Sequence, residues 1–139
     1  MAPAAGELRP RAGETEKLTI NLGVVDLGQI DLLVQEGFYS NRTDLIRTAI
    51  RNQLATHSEE VKSTVARRTL VLGLQSLSRA DLERARASGQ MLHIQVLGLA
   101  RIADDVSPEL ARATIASVEV LGAFHASAAV RRALADRTK

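Results

Sequence analysis

Residues 16–22 read Glu-Lys-Leu-Thr-Ile-Asn-Leu, and this stretch decides the fold of the N-terminal half. Apolar and polar side chains alternate along it, with Leu18, Ile20 and Leu22 interleaved by Lys17, Thr19 and Asn21. A period of two is typical of a β-strand with one buried face. The alternation stops at Gly23, so the sequence predicts a single short strand.

Two helices are predicted after this strand. Beyond Gly23 the apolar residues take helical spacing, with Asp26 expected as the N-cap and Gly37 expected to end the helix. The second helix is expected to begin at Ser40 as its N-cap. A sparser helical pattern runs on to Arg68, and residues 56–58 leave open whether it is one long helix or two pieces.

Residues 16–55 resemble the ribbon-helix-helix DNA-binding family, also described as CopG-like or Arc/MetJ-like repressors. Residues 16–22 match the family's ribbon. Residues 37–51, Gly-Phe-Tyr-Ser-Asn-Arg-Thr-Asp-Leu-Ile-Arg-Thr-Ala-Ile-Arg, match its glycine turn and capped second helix. The resemblance implies an intertwined homodimer whose two strands pair antiparallel beneath four helices. The residues lead to the same dimer, because one strand with two helices cannot close a core alone.

In such a dimer the polar face of the ribbon projects outward. A two-stranded ribbon fits the major groove, so the residues expected to read bases are Lys17, Thr19 and Asn21. The resemblance places Ser40, Asn41 and Arg42 where family members present backbone amides to a DNA phosphate, and a helix N-terminus favours an anion. Further phosphate contacts are assigned to Arg47 and Arg51, which lie four residues apart on one helix face.

Ordinary surface roles compete with these assignments. A solvated strand would carry polar residues on its outer face without reading DNA. Arg47 and Arg51 are also compatible with a solvated helix face or with pairing to acids such as Asp44.

Beyond residue 69 the sequence contains three similar units. Each unit has an apolar run containing Leu-Gly, then a serine that begins an Ala-rich helical segment; the glycines are Gly73, Gly98 and Gly122, and the serines are Ser78, Ser107 and Ser127. We expect each unit to be a strand that ends at its Leu-Gly turn, followed by a short helix. Repetition at this spacing predicts parallel strands with helical crossovers in a solenoid-like β/α stack.

The predicted fold class is therefore α+β, in four segments. They are a flexible arm (1–15), a ribbon-helix-helix domain (16–55), a helical linker (56–68) and a β/α repeat domain (69–139). The chain of 139 residues is 45% hydrophobic, has no cysteine and carries a net charge of +2, which is too small to imply nucleic-acid binding by itself. No signal peptide or membrane-spanning run is recognised, so a cytoplasmic location is expected.

No catalytic or metal-binding constellation is visible. His57, His93 and His125 lack the spacing of metal ligands, and the chain has neither a P-loop nor a nucleophile elbow. We therefore expect no enzyme activity, no metal and no cofactor.

The leading interpretation is sequence-specific binding of double-stranded DNA by a homodimer that represses transcription, with the C-terminal repeats joining dimers into tetramers or larger assemblies. One alternative is a scaffold that polymerises through the repeats and is anchored to DNA. The other is an antitoxin, which would have a polar, disordered tail that residues 69–139 do not resemble.

Overall fold

The computed structural model of the protein describes residues 14–139. The described chain divides into two compact units, one of residues 17–64 and one of residues 65–139 together with residues 14–16. The flexible arm predicted for residues 1–15 lies outside the described residues, except for Glu14 and Thr15. The described chain contains both helices and strands, which confirms the α+β assignment.

The first helix, α1 (Val24–Gln35), follows Gly23 directly. Gly23 is its N-cap, and the prediction that Asp26 has this role is wrong because Asp26 lies inside the first turn. At the other end Gly37 has φ +85°. The N–H groups of Gly37 and Phe38 donate to the carbonyls of Val34 and Leu33, a Schellman motif that ends the helix at the predicted glycine.

Two further helices follow, α2 (Arg42–Thr56) and α3 (Ser58–Arg68). His57 is the C-cap residue of α2, so the chain forms two pieces here rather than one long helix. The first turn of α3 carries Glu59 and Glu60 and its last turn carries Arg67 and Arg68, an order of charge that favours both ends of the helix dipole.

The C-terminal unit is a three-stranded parallel sheet in the order β1 (Val71–Leu77), β2 (Leu92–Ile102) and β3 (Ile115–His125). Helices α4 (Arg79–Ala87) and α5 (Pro108–Thr114) connect the strands, and α6 (Ala128–Ala133) follows the last one. Ser78, Ser107 and Ser127 each accept a hydrogen bond from a first-turn amide, as predicted, and Pro108 is the first helical residue.

The repeated glycines lie inside the strands. Gly73 pairs with Gly98, and Gly98 pairs with Gly122, so they form one row across the sheet. Their φ angles are +119°, +139° and +124°, which only glycine adopts readily. The prediction that each strand ends at its Leu-Gly turn is therefore wrong, because the strands continue to Leu77, Ile102 and His125.

The core of this unit lies between the sheet and its helices. Alternate residues of β2 face the helices, with Ile94, Val96, Ala100 and Ile102 all buried. They pack in one cluster with side chains from the helices and from β3, including Leu82, Leu110, Val118, Val130 and Leu134. Arg101 and its β3 partner His125 consequently lie on the other face of the sheet.

The two outer strands differ in how their edges are covered. The C-terminal residues lie against β3, where Thr138 forms a parallel bridge with Val118 and the Lys139 N–H donates to the Val118 carbonyl at 2.9 Å. The outer edge of β1 pairs with no other strand of the described chain. Within residues 14–139 the edge of β1 is therefore open along its length, whereas the edge of β3 meets the C-terminal residues at Val118.

Candidate nucleic-acid interface

The residues predicted to form the ribbon lie in an extended segment before α1. Lys17, Thr19 and Asn21 are all exposed, as the base-reading assignment requires. The segment forms no strand in the single chain, contrary to the pattern-based prediction. The physical reason is that a strand needs a hydrogen-bonding neighbour, and the described residues of one chain supply none here.

The apolar side chains of this segment are uncovered. Leu18 is 80% exposed, Ile20 60% and Leu22 40%. The helices beside them do not supply a core, because α1, α2 and α3 contain no buried residue. Residues 17–64 taken alone thus expose the apolar surface that normally forms the interior of a folded unit.

The N-terminus of α2 is capped by its own polar side chains. Asn41 is the N-cap and accepts a hydrogen bond from the Asp44 amide at 2.8 Å, so the prediction of Ser40 as N-cap is wrong by one residue. The Ser40 N–H donates to the Asp44 carboxylate at 3.0 Å. Among the described residues, the N–H groups of Asn41, Arg42 and Thr43 have no acceptor, which leaves three amides for an anion at the positive end of the helix.

Arg42 is held by an acid from the first helix. Its Nε and Nη2 atoms donate to Oδ1 and Oδ2 of Asp31 at 2.7 and 2.9 Å. This bidentate pair fixes the orientation of the planar guanidinium. The hydrogen bond from Arg42 holds the pKa of Asp31 below its ordinary value, and the same bond raises the pKa of Arg42. Sequence reasoning missed Asp31 because the two residues lie outside local helical spacing.

Arg47 and Arg51 are exposed on α2. The proposed alternative partner, Asp44, is engaged by the backbone at the start of the helix. Within the part of the chain that the structure describes, neither arginine has an ion-pair partner. Both guanidinium groups are therefore open to solvent and to an anionic ligand.

Each of the three histidines has its own partner. His57 lies 3.9 Å from Glu60, His93 bonds Ser117 at 2.8 Å, and His125 bonds Glu16 at 2.6 Å. Residues 14–139 contain no group of three or more His, Asp or Glu side chains arranged to hold a metal ion. Over the same residues no helix combines the length and apolar character needed to cross a bilayer.

Comparison with known proteins gives one match. The model of the Ribbon-Helix-Helix transcriptional regulator family matches residues 13–131. The match extends well past residues 16–55, which carried the resemblance, and includes all three strands of the C-terminal sheet. No curated protein and no solved structure matches the chain.

Proposed function

Since the chain belongs to the ribbon-helix-helix transcriptional regulator family, we propose that it binds double-stranded DNA sequence-specifically as a homodimer and represses transcription. The observation that carries the dimer is the missing core of residues 17–64, whose three helices bury no side chain. A second copy supplies what the single chain lacks. Two segments of residues 16–22 pair antiparallel, and Leu18, Ile20 and Leu22 become the shared interior.

Base reading follows from the same pairing. With the apolar side chains turned inward, Lys17, Thr19 and Asn21 project from the ribbon into the major groove. Asparagine can bond adenine in bidentate fashion, lysine can donate to guanine acceptors, and threonine offers a hydroxyl and a methyl group to thymine. These three side chains give the protein its sequence preference.

The start of α2 holds the phosphate backbone. The amides of Arg42 and Thr43 receive one phosphate at the helix N-terminus, in the turn formed by Ser40 and Asn41. The guanidinium of Arg42, the first residue of this helix, adds a positive charge and is held by Asp31. Arg47 and Arg51 extend the positive surface along the helix and add affinity without reading sequence.

The test begins by selecting bound duplexes from a random pool with the intact protein. Asn21→Ala should then weaken binding to the selected site by about 1–3 kcal/mol and change binding to random DNA much less. Asn52→Ala, which removes an exposed asparagine from α2, is the matched control and should have no effect. Equal losses on both DNAs would show that Asn21 does not read bases.

We also propose that the β/α repeats stack in a solenoid-like manner and join ribbon dimers into tetramers. The open edge of β1 supports this assignment, since an unpaired strand edge is a template for another chain. The scaffold alternative uses the same edge but assembles without limit. The antitoxin alternative is disfavoured by the buried core of residues 70–134, because a toxin-binding tail would be polar and disordered.

A further inference from the structure

A cleft lies at the carboxyl ends of β2 and β3 in the C-terminal unit. Its volume is about 420 Å³, and its lining includes Arg101, Asp104, His125 and Arg131. Open parallel sheets bind ligands outside the carboxyl ends of their strands, and pockets for small molecules begin at about 300 Å³. The DNA-binding assignment makes no use of this cleft.

Two of its nitrogen-bearing side chains already hold carboxylates from the N-terminal segment of the same chain. Arg101 Nη1 lies 3.7 Å from Glu14 Oε1, and His125 Nε2 lies 2.6 Å from Glu16 Oε1. The Glu14 side chain is only 14% exposed, so the N-terminal segment packs against the sheet. Arg101 and His125 are cross-strand partners, so their side chains leave the sheet from neighbouring positions on the same face.

Arg131 adds a third basic group. It is exposed on α6 and lines the cleft, and it has no ion-pair partner among residues 14–139. Asp104 is the acid that lines the same cleft. With the N-terminal segment displaced, the cleft would present two guanidinium groups and one imidazole to a single ligand.

We propose that this cleft binds a small dicarboxylate at Arg101, His125 and Arg131, in competition with the carboxylates of Glu14 and Glu16. In the chain itself the Glu14 carboxylate contacts Arg101 and the Glu16 carboxylate contacts His125. A ligand with two carboxylates can replace both contacts. Guanidinium groups match the planar geometry of a carboxylate. Ligand binding would be coupled to DNA binding, an expectation that rests on the proposed function. The ligand displaces Glu16, and Glu16 directly precedes Lys17, which is proposed to read bases.

The first experiment titrates the intact protein with succinate, by calorimetry, and with inorganic phosphate for comparison. Arg101→Gln and Arg131→Gln should each weaken succinate binding about tenfold or more, because each removes a charge-assisted hydrogen bond. Arg132→Gln, on the same helix but outside the lining of the cleft, is the control and should bind as the wild type does. Circular dichroism establishes that the variants are folded.

The second experiment tests the competition. The double variant Glu14→Gln/Glu16→Gln should bind succinate about three- to tenfold more tightly, since two ion pairs no longer oppose the ligand. Asp104→Asn also removes a negative charge from the cleft but releases no contact to Arg101 or His125, so it should raise the affinity less.

Four results would overturn the proposal. They are no succinate binding by either the wild type or the double variant, unchanged affinity in both arginine variants, an equal gain from Asp104→Asn, and phosphate binding as tight as succinate binding. DNA takes no part in these measurements, so a failure of the proposed DNA binding would be seen separately.

Discussion

Gly98 and Gly122 are neighbours across β2 and β3, and a Cβ atom placed on Gly122 would overlap the carbonyl oxygen of Gly98. The same relationship joins Gly98 to the carbonyl of Gly73. The three glycines thus let the strands keep their parallel register through a row of positive φ angles. A side chain at Gly98 or Gly122 meets both a strained backbone and another strand.

Gly98→Ala should accordingly destabilise the C-terminal unit by about 3 kcal/mol or more. Gly89 is the matched control, because it also has positive φ, at +70°, but faces open space. Gly89→Ala should cost only about 1–2 kcal/mol, the price of the left-handed conformation. Amide hydrogen exchange of β2 in increasing urea measures both. Equal losses would mean that the overlap with Gly73 is relieved at no cost.

The affinity for DNA should rise when Asp31 no longer pairs with Arg42. Asp31→Asn releases the guanidinium and removes a negative charge near the DNA, so affinity should rise on selected and random duplexes alike. Arg42→Gln should lower affinity on both and reduce the salt slope of binding by about one unit. Titrations at several salt concentrations measure these changes. An unchanged slope in Arg42→Gln would exclude the phosphate contact.

The same pair gives a dependence on pH. The hydrogen bond from Arg42 makes the pKa of Asp31 lower in the folded chain than in the unfolded one. Such a carboxyl stabilises the fold above its unfolded pKa, and the contribution disappears as the pH falls through its folded pKa. The protection factors of amides in α1 and α2, which are corrected for the pH dependence of intrinsic exchange, should therefore fall on acidification more in the wild type than in Asp31→Asn. Asp26→Asn, on the same helix, should behave as the wild type does.

Local chemistry made part of this structure predictable. Gly37 ends α1, and Ser78 and Ser107 begin their helices, because each of these residues acts on a backbone within a few positions of itself. The predicted N-caps of α1 and α2 are wrong because another residue that can cap a helix lies close by in each case, Gly23 before Asp26 and Asn41 after Ser40.

Contacts between distant residues were not predictable from pattern. The sequence pattern predicts a turn at Gly98. The position requires glycine because a Cβ atom there would overlap the carbonyl of Gly73, which lies in another strand. The hydrogen bond between Glu16 and His125 likewise joins two residues that are 109 positions apart in the sequence. The alternation of residues 16–22 predicts a strand, but a strand forms only when it pairs with another. In the proposed dimer that partner is the same segment of a second chain.

The dimer itself is tested at the centre of the ribbon. Ile20→Lys places a charge where the proposed interface buries an apolar side chain, so the variant should lose both dimerisation and DNA binding. Thr19→Lys changes the neighbouring outward position and should remain dimeric. Sedimentation of both variants at equal concentration separates the two outcomes. A dimeric Ile20→Lys protein would contradict the proposed pairing.

The open edge of β1 leads to the assembly prediction. An antiparallel pair of β1 strands about a two-fold axis uses one edge from each of two chains, and each ribbon dimer has two such edges. When both edges of one dimer pair with the same second dimer, the assembly closes as a tetramer. Leu72 is 65% exposed on β1, and Leu121 occupies the same cross-strand row on β3, whose edge meets the C-terminal residues at Val118. Leu72→Lys should therefore give dimers, since lysine on an edge strand opposes pairing, whereas Leu121→Lys should remain tetrameric.

The two variants also differ in their expected behaviour on DNA. Leu72→Lys should bind a single site with the affinity of the wild type but lose cooperativity on tandem sites, because linkage raises the effective concentration of the second dimer without any new DNA contact. Leu121→Lys should keep that cooperativity. Sedimentation without DNA and titration of single and tandem sites provide the measurements. Filaments that lengthen with concentration would favour the scaffold alternative, and tetramers that persist in Leu72→Lys would place the assembly surface elsewhere.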